Sequence, residues 1–95
     1  MAKIYIIDDD KDIVESLSLV LKSKGYEVDA QYNDENVVEN LLVKKPDLII
    51  LDVMFPENNS AGFDIARAIK RNEELSGIPI IMLSVINQRG IYIGK

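Results

Sequence analysis

The sequence has 95 residues, 47% of them hydrophobic and 28% charged, a net charge of −5 at neutral pH, and neither cysteine nor histidine. That length fits one small domain, and the composition excludes disulfides, thiolate metal sites, a histidine base and a phosphohistidine of its own. The acidic balance argues against nucleic-acid binding by this segment, and no apolar run approaches the ~18 residues of a membrane helix.

In chain order, "KIYIID" (Lys3–Asp8) is apolar and β-rich, as a buried strand should be. "DKDIVESLSLVLKSKG" follows, with Ile13, Val14, Leu17, Val20 and Leu21 at helical spacing, Asp10 placed as its cap and Gly25 as its stop. "YEVDAQY" (Tyr26–Tyr32) alternates like a strand with one wetter face. A cap signal at Asn33 and Asp34 precedes a second helix with a stripe of Val37, Val38, Leu41 and Leu42, stopped at Pro46. "DLIILDV" (Asp47–Val53) is another buried strand that ends in an aspartate. "MFPENNSAG" has the composition of a loop. "FDIARAIKRNEEL" predicts a third helix burying Phe63, Ile65, Ala66 and Ile69, and "IPIIMLS" (Ile78–Ser84) a fourth buried strand. The tail from Val85 to Lys95 has no helical face, although "IYI" could form a short strand.

The alternation βαβαβαβ, with crossovers of about a dozen residues, implies one parallel sheet with helices on both faces. All strand C-termini then share an edge, which is where open α/β sheets bind ligands. Asp8 and Asp9 end the first strand, Asp52 the third and Ser84 the fourth. If the first and third strands are neighbours, three carboxylates converge, and joint ionisation needs a compensating hard cation such as Mg²⁺.

The acidic pair Asp8–Asp9 after an apolar strand, "LIILDVMFP" with Asp52 and Pro56, Gly62 before the third helix, and "PIIMLS" ending in Ser84 occur in the order of a known family. The sequence resembles the receiver domain of two-component response regulators over about residues 3–87. The resemblance implies a flavodoxin-like doubly wound α/β sheet of order 2-1-3-4, an order for which the family itself is the stock example. It implies Asp52 as phosphoacceptor, and Asp8, Asp9, Asp52 and the backbone carbonyl of Met54 as Mg²⁺ ligands. Ser84 would contact the phosphoryl group and act as the switch. The phosphoryl donor would be a sensor histidine kinase or a phosphotransfer protein, and the chain would be a cytoplasmic signalling domain rather than an enzyme beyond its own phosphorylation and dephosphorylation.

Three departures from the family pattern stand out. The usual fifth strand and the lysine before it have no counterpart by Lys95, Val85 follows Ser84 where a small residue is usual, and "PENNSAG" is about two residues longer than the usual loop. The sequence is therefore expected to be a receiver domain over 1–95 that is incomplete at its C-terminus. The fourth strand would be an uncovered sheet edge. Either dimerisation through that edge, marginal stability, or origin as a piece of a longer gene product is expected, the last ranked first.

Blander explanations compete at each position. Acidic residues at a helix start favour its dipole, which accounts for Asp10 and Asp12 but poorly for Asp8 at a strand end. A lone Asp52 would be read as a turn residue and a lone Ser84 as an ordinary strand-end hydroxyl. Lys44–Lys45 and Lys70–Arg71 read as solvated helix ends. Two other functions are weighed. One is a receiver-like interaction module that is never phosphorylated. The other is a metal-dependent phosphatase, because Asp8-x-Asp10 resembles the haloacid-dehalogenase pattern; Asp12 stands where that pattern wants Thr or Val.

Overall fold

The structure, a computed structural model, describes residues 2–53, 55, 60–85 and 91–93, with residues 84, 85 and 91–93 described by their backbone alone. Its elements are β1 (Lys3–Ile7), α1 (Lys11–Ser23), β2 (Glu27–Gln31), α2 (Val37–Lys44), β3 (Leu48–Asp52), α3 (Ala61–Arg71), β4 (Ile80–Val85) and β5 (Ile91–Ile93). No helix among the described residues is long and apolar enough to cross a membrane.

Strands β2, β1, β3 and β4 lie side by side in that order and run parallel, as expected. The continuous apolar runs of β1 and β3 are consistent with burial from both faces. Tyr5 and Ile7 point to one side with Ile49 and Leu51, where α2 and α3 bring Leu41, Ile65 and Ile69. Ile4 and Ile6 point to the other with Ile50, where α1 brings Val14 and, partly buried, Leu17 and Leu21.

The position beyond β4 corrects an expectation. The usual parallel fifth strand is absent among the described residues, as expected, but the edge of β4 is not left uncovered: "IYI" forms β5, which pairs there antiparallel and sets Ile93 opposite Leu83 and Ile91 opposite Val85. A parallel strand needs a crossover of a dozen or more residues, whereas an antiparallel return needs only a short reversal. The five positions 86–90 therefore allow the second arrangement and not the first.

Two helices turn differently from the periodicity. Val20, expected on the buried face of α1, is 54% exposed. Phe63, expected in the core, is 51% exposed, and α3 instead buries Ala61, Gly62, Ile65 and Ile69. The second helix begins three residues past its predicted cap: Asn36, in a left-handed conformation at φ 53°, precedes Val37, while the Asn33 carboxamide accepts from the Glu35 N–H within the loop.

Candidate functional site

The site grows from the way β1 ends. The Asp8 N–H donates to the Gln31 carbonyl at 3.1 Å, which extends the β1–β2 ladder by one residue. Asp8 is thereby held at the sheet rim, 4% exposed. Its Oδ1 accepts the Asp10 N–H at 2.9 Å. Burial pushes the Asp8 carboxyl above its ordinary range, the Asp10 N–H opposes this, and the charges of Asp9 and Asp10 push it further up.

Asp10 belongs to the helix. Its Oδ1 accepts the N–H groups of Asp12 at 2.9 Å and Ile13 at 3.2 Å, satisfying two donors that the first turn of α1 cannot satisfy itself. Asp9, between the two, is exposed. Three consecutive aspartates thus have three surroundings.

Asp52 reaches the same place from the neighbouring strand. Ile7 is in register with Leu51, so Asp8 and Asp52 are the next residues of two adjacent parallel strands. Asp52 is half-buried and pairs with Leu83 of β4, and the Val53 N–H donates to the Leu83 carbonyl at 2.9 Å. Asp8, Asp9 and Asp52 each offer a carboxylate oxygen within 4.8 Å of the others. At such a separation two full charges repel by about 3.5 kcal/mol at an effective dielectric near 20. The repulsion and the buried Asp8 both call for a cation or a proton. The donors are all hard oxygens, which suits a hard divalent cation and not a soft one.

Gly62 brings α3 against this edge. A Cβ built on it would touch the Val53 carbonyl oxygen and lie 2.6 Å from that of Asp52, so only glycine allows the approach. Ser84 follows Leu83, which places its backbone at the same edge. The Met54 carbonyl and Lys95 lie outside the described residues, as does the side chain of Ser84.

Sequence reasoning singled out the three converging carboxylates. It missed the backbone tie from Asp8 to Gln31 and the Asp10 N–H on Asp8. The first is a main-chain bond, which any residue but proline can make and no residue pattern signals; the second uses the Asp8 carboxylate, a local turn bond typical of Asp that the sequence could have suggested.

Comparison with known proteins adds the relationship. A family model described as the response regulator receiver domain matches residues 4–92. Among solved structures, the chain is similar to the N-terminal domain of a response regulator receiver protein from Methanoculleus marisnigri JR1, at 28% identity and a TM-score of 0.77, covering 86% of this chain and 65% of that one. It is similar to the chemotaxis protein CheY4 of Vibrio cholerae at 28% identity and a TM-score of 0.80, covering 94% and 72%. It is also similar to the signal receiver domain of a signal transduction histidine kinase from Syntrophus aciditrophicus, at 31% identity and a TM-score of 0.79, covering 94% and 66%. The chain thus spans 65–72% of the length of these three.

Proposed function

This chain belongs to the response regulator receiver domain family, and from that premise we propose that it is a phosphoacceptor of two-component signalling, with Asp52 as the modified residue. The observation that carries the reading is the gathering of carboxylate oxygens of Asp8, Asp9 and Asp52 within 4.8 Å at the C-terminal edge of a parallel sheet.

In this reading Asp8, Asp9 and Asp52, with the Met54 carbonyl, would hold Mg²⁺. When bound, the ion supplies positive charge beside the oxygens of the transferring phosphoryl group. The rest is the work of the chain. An Asp52 carboxylate oxygen attacks the phosphorus of a phosphohistidine on a sensor kinase or phosphotransfer protein. The O–P bond forms as the N–P bond breaks, and the electron pair returns to the imidazole nitrogen of the donor. The product is an acyl phosphate on Asp52, hydrolysed later by water. Nothing beyond self-modification is catalysed. The hydroxyl of Ser84 donates to the new phosphoryl group, and that contact biases the segment after β4. The place of the Ser84 backbone, one residue past the partner of Asp52, supports this role.

The test is phosphorylation with acetyl phosphate and Mg²⁺, read by intact mass. The expected result is one added phosphoryl group on the wild type, none without Mg²⁺, and none on Asp52→Asn. A wild type that takes up no phosphoryl group from acetyl phosphate or from a phosphorylated kinase would instead leave a receiver that signals by contact alone.

A further inference from the structure

We propose that copies of this chain associate head to tail, the aromatic and basic side of α3 in one copy seating on the acid-rimmed hollow between α2 and α3 of the next. The proposal is independent of phosphorylation.

Two surfaces carry it. The first is a hollow of about 480 Å³ with Val37, Val38 and Ile65 among its lining and Asp34, Glu39 and Asp64 on its rim. The second is a shallower hollow of about 340 Å³ formed by Phe63, Ala66, Arg67, Lys70 and Arg71. At 3.6 residues per turn, Ala61, Ile65 and Ala68 lie on one side of α3, while Phe63, Ala66 and Lys70 lie on the other. One helix therefore presents an acidic apolar surface on one side and a basic apolar surface on the other.

The basic surface is unusual for this chain. The sequence has 16 acidic against 11 basic residues, yet three of those eleven line one hollow together with the exposed Phe63. Helix-end cations favour the dipole, which explains Lys70 and Arg71. It does not explain why a phenyl is left half-exposed among them. Two of the cations are also held in place. Arg67 pairs with Asp64 at 2.7 Å, and the Lys70 ammonium donates to the carbonyls of Ser76 and Ile78 at 3.3 Å each. The Arg67–Asp64 pair forms the ridge between the two surfaces, and each offsets the other's charge, so Lys70 and Arg71 supply the basic side. Asp34 and Glu39, both exposed, are left as the acidic rim that incoming cations meet.

A second copy is the occupant because each surface carries what the other wants: an exposed apolar body with a basic rim, and an apolar floor with an acidic rim. Such a contact joins different surfaces of two identical molecules. It does not close on itself, so the product is an open series of copies rather than a single two-fold dimer. The overall charge of −5 repels copies from one another and keeps the association weak.

Sedimentation equilibrium from about 10 µM to about 1 mM, the range of weak complexes, tests this. The wild type is expected to rise steadily above the monomer mass of 10.7 kDa as concentration increases. Phe63→Glu destroys the basic surface and leaves the hollow, whereas Asp34→Lys with Glu39→Lys does the reverse. Each variant alone is expected to stay at the monomer mass. Their equimolar mixture is expected to reach twice that mass and stop, since each partner keeps one complementary half. Circular dichroism checks that the variants fold, and Phe63→Ser replaces Phe63→Glu if the charge prevents folding. A wild type that remains monomeric throughout, variants that associate like the wild type, or a mixture no heavier than its components would each overturn the proposal.

Discussion

Gly62 lies so near the end of β3 that a Cβ on it would sit 2.6 Å from the Asp52 carbonyl oxygen. The glycine on α3 and the acid on β3 are therefore coupled through the backbone, and the start of α3 is set by the strand that presents the acid. Gly62→Ala must push the two apart. Overpacking of this kind costs about 1–3 kcal/mol. For a domain of this size each kcal/mol is about 4–8 °C in Tm. Thermal unfolding should show that loss, together with slower phosphoryl uptake by Asp52. An unchanged Tm would mean that the approach is not tight.

The Asp8 carboxyl gives a pH dependence with a definite sign. Burial raises its pKa in the folded protein above the unfolded value. The folded state then holds the proton more tightly, so this contribution to stability is fully present below the unfolded pKa. It is lost as pH rises through the folded one. Above the folded pKa the metal-free protein carries a buried charge at a cost. Asp8→Asn keeps an oxygen for the Asp10 N–H and removes the charge. In EDTA at neutral pH it should be more stable than the wild type by on the order of 1 kcal/mol, and the gap should close as pH falls into the acid range. A wild type that melts higher than Asp8→Asn under those conditions would contradict this.

Mg²⁺ should reverse that ranking. A ligand that binds only the folded state stabilises by about 2.7 kcal/mol at a hundredfold excess over its Kd. Titration of Mg²⁺ at constant ionic strength should raise the Tm of the wild type. The rise should be absent in Asp8→Asn and reduced in both Asp9→Asn and Asp52→Asn. An equal rise in all four proteins would point to general screening of the negative charge rather than a site.

Gln31 should be the costliest polar residue to remove outside the site. It is 9% exposed. Its Oε1 accepts from the Tyr5 hydroxyl at 2.7 Å and from the Asn40 amide at 3.0 Å. Its Nε2 donates to the carbonyls of Asn33 at 2.8 Å and Glu35 at 3.0 Å. Gln31→Leu leaves these partners unsatisfied, a loss of about 1–3 kcal/mol. Tyr5→Phe removes one donor while Asn40 remains, so it should cost less. Urea unfolding of the two variants ranks them.

Local chemistry made much of the site legible. A strand buried on both faces reads as an unbroken apolar run, so β1 and β3 announce where they end, and each ends beside an aspartate. The helix-capping role of Asp10 was equally visible, because it directly precedes the helical stripe, where a side-chain oxygen can accept the first free N–H groups. Phe63 and Val20 were misplaced for the opposite reason. Periodicity defines a stripe but not its margins, and the margins depend on what packs against the helix. For α3 the close approach of Gly62 turns Ala61 and Ile65 inward and leaves Phe63 outside.

The sequence by itself determined the alternation of strands and helices, and the presence of carboxylates at one sheet edge. Both follow from short-range causes: hydrophobic period, capping residues, and the cost of burying charge, which keeps charged residues at the ends of a strand covered on both faces. Only the tertiary structure decided that Asp8 is buried while Asp9 is exposed, although the two are adjacent in the chain. It also decided that β5 runs antiparallel along β4 and that α3 turns Phe63 outward while burying Ala61, Gly62, Ile65 and Ile69. Each of these depends on contacts between residues far apart in sequence, such as Asp8 with Gln31, Leu83 with Ile93 and Gly62 with Asp52. Those contacts form only when the sheet assembles, so no local pattern encodes them.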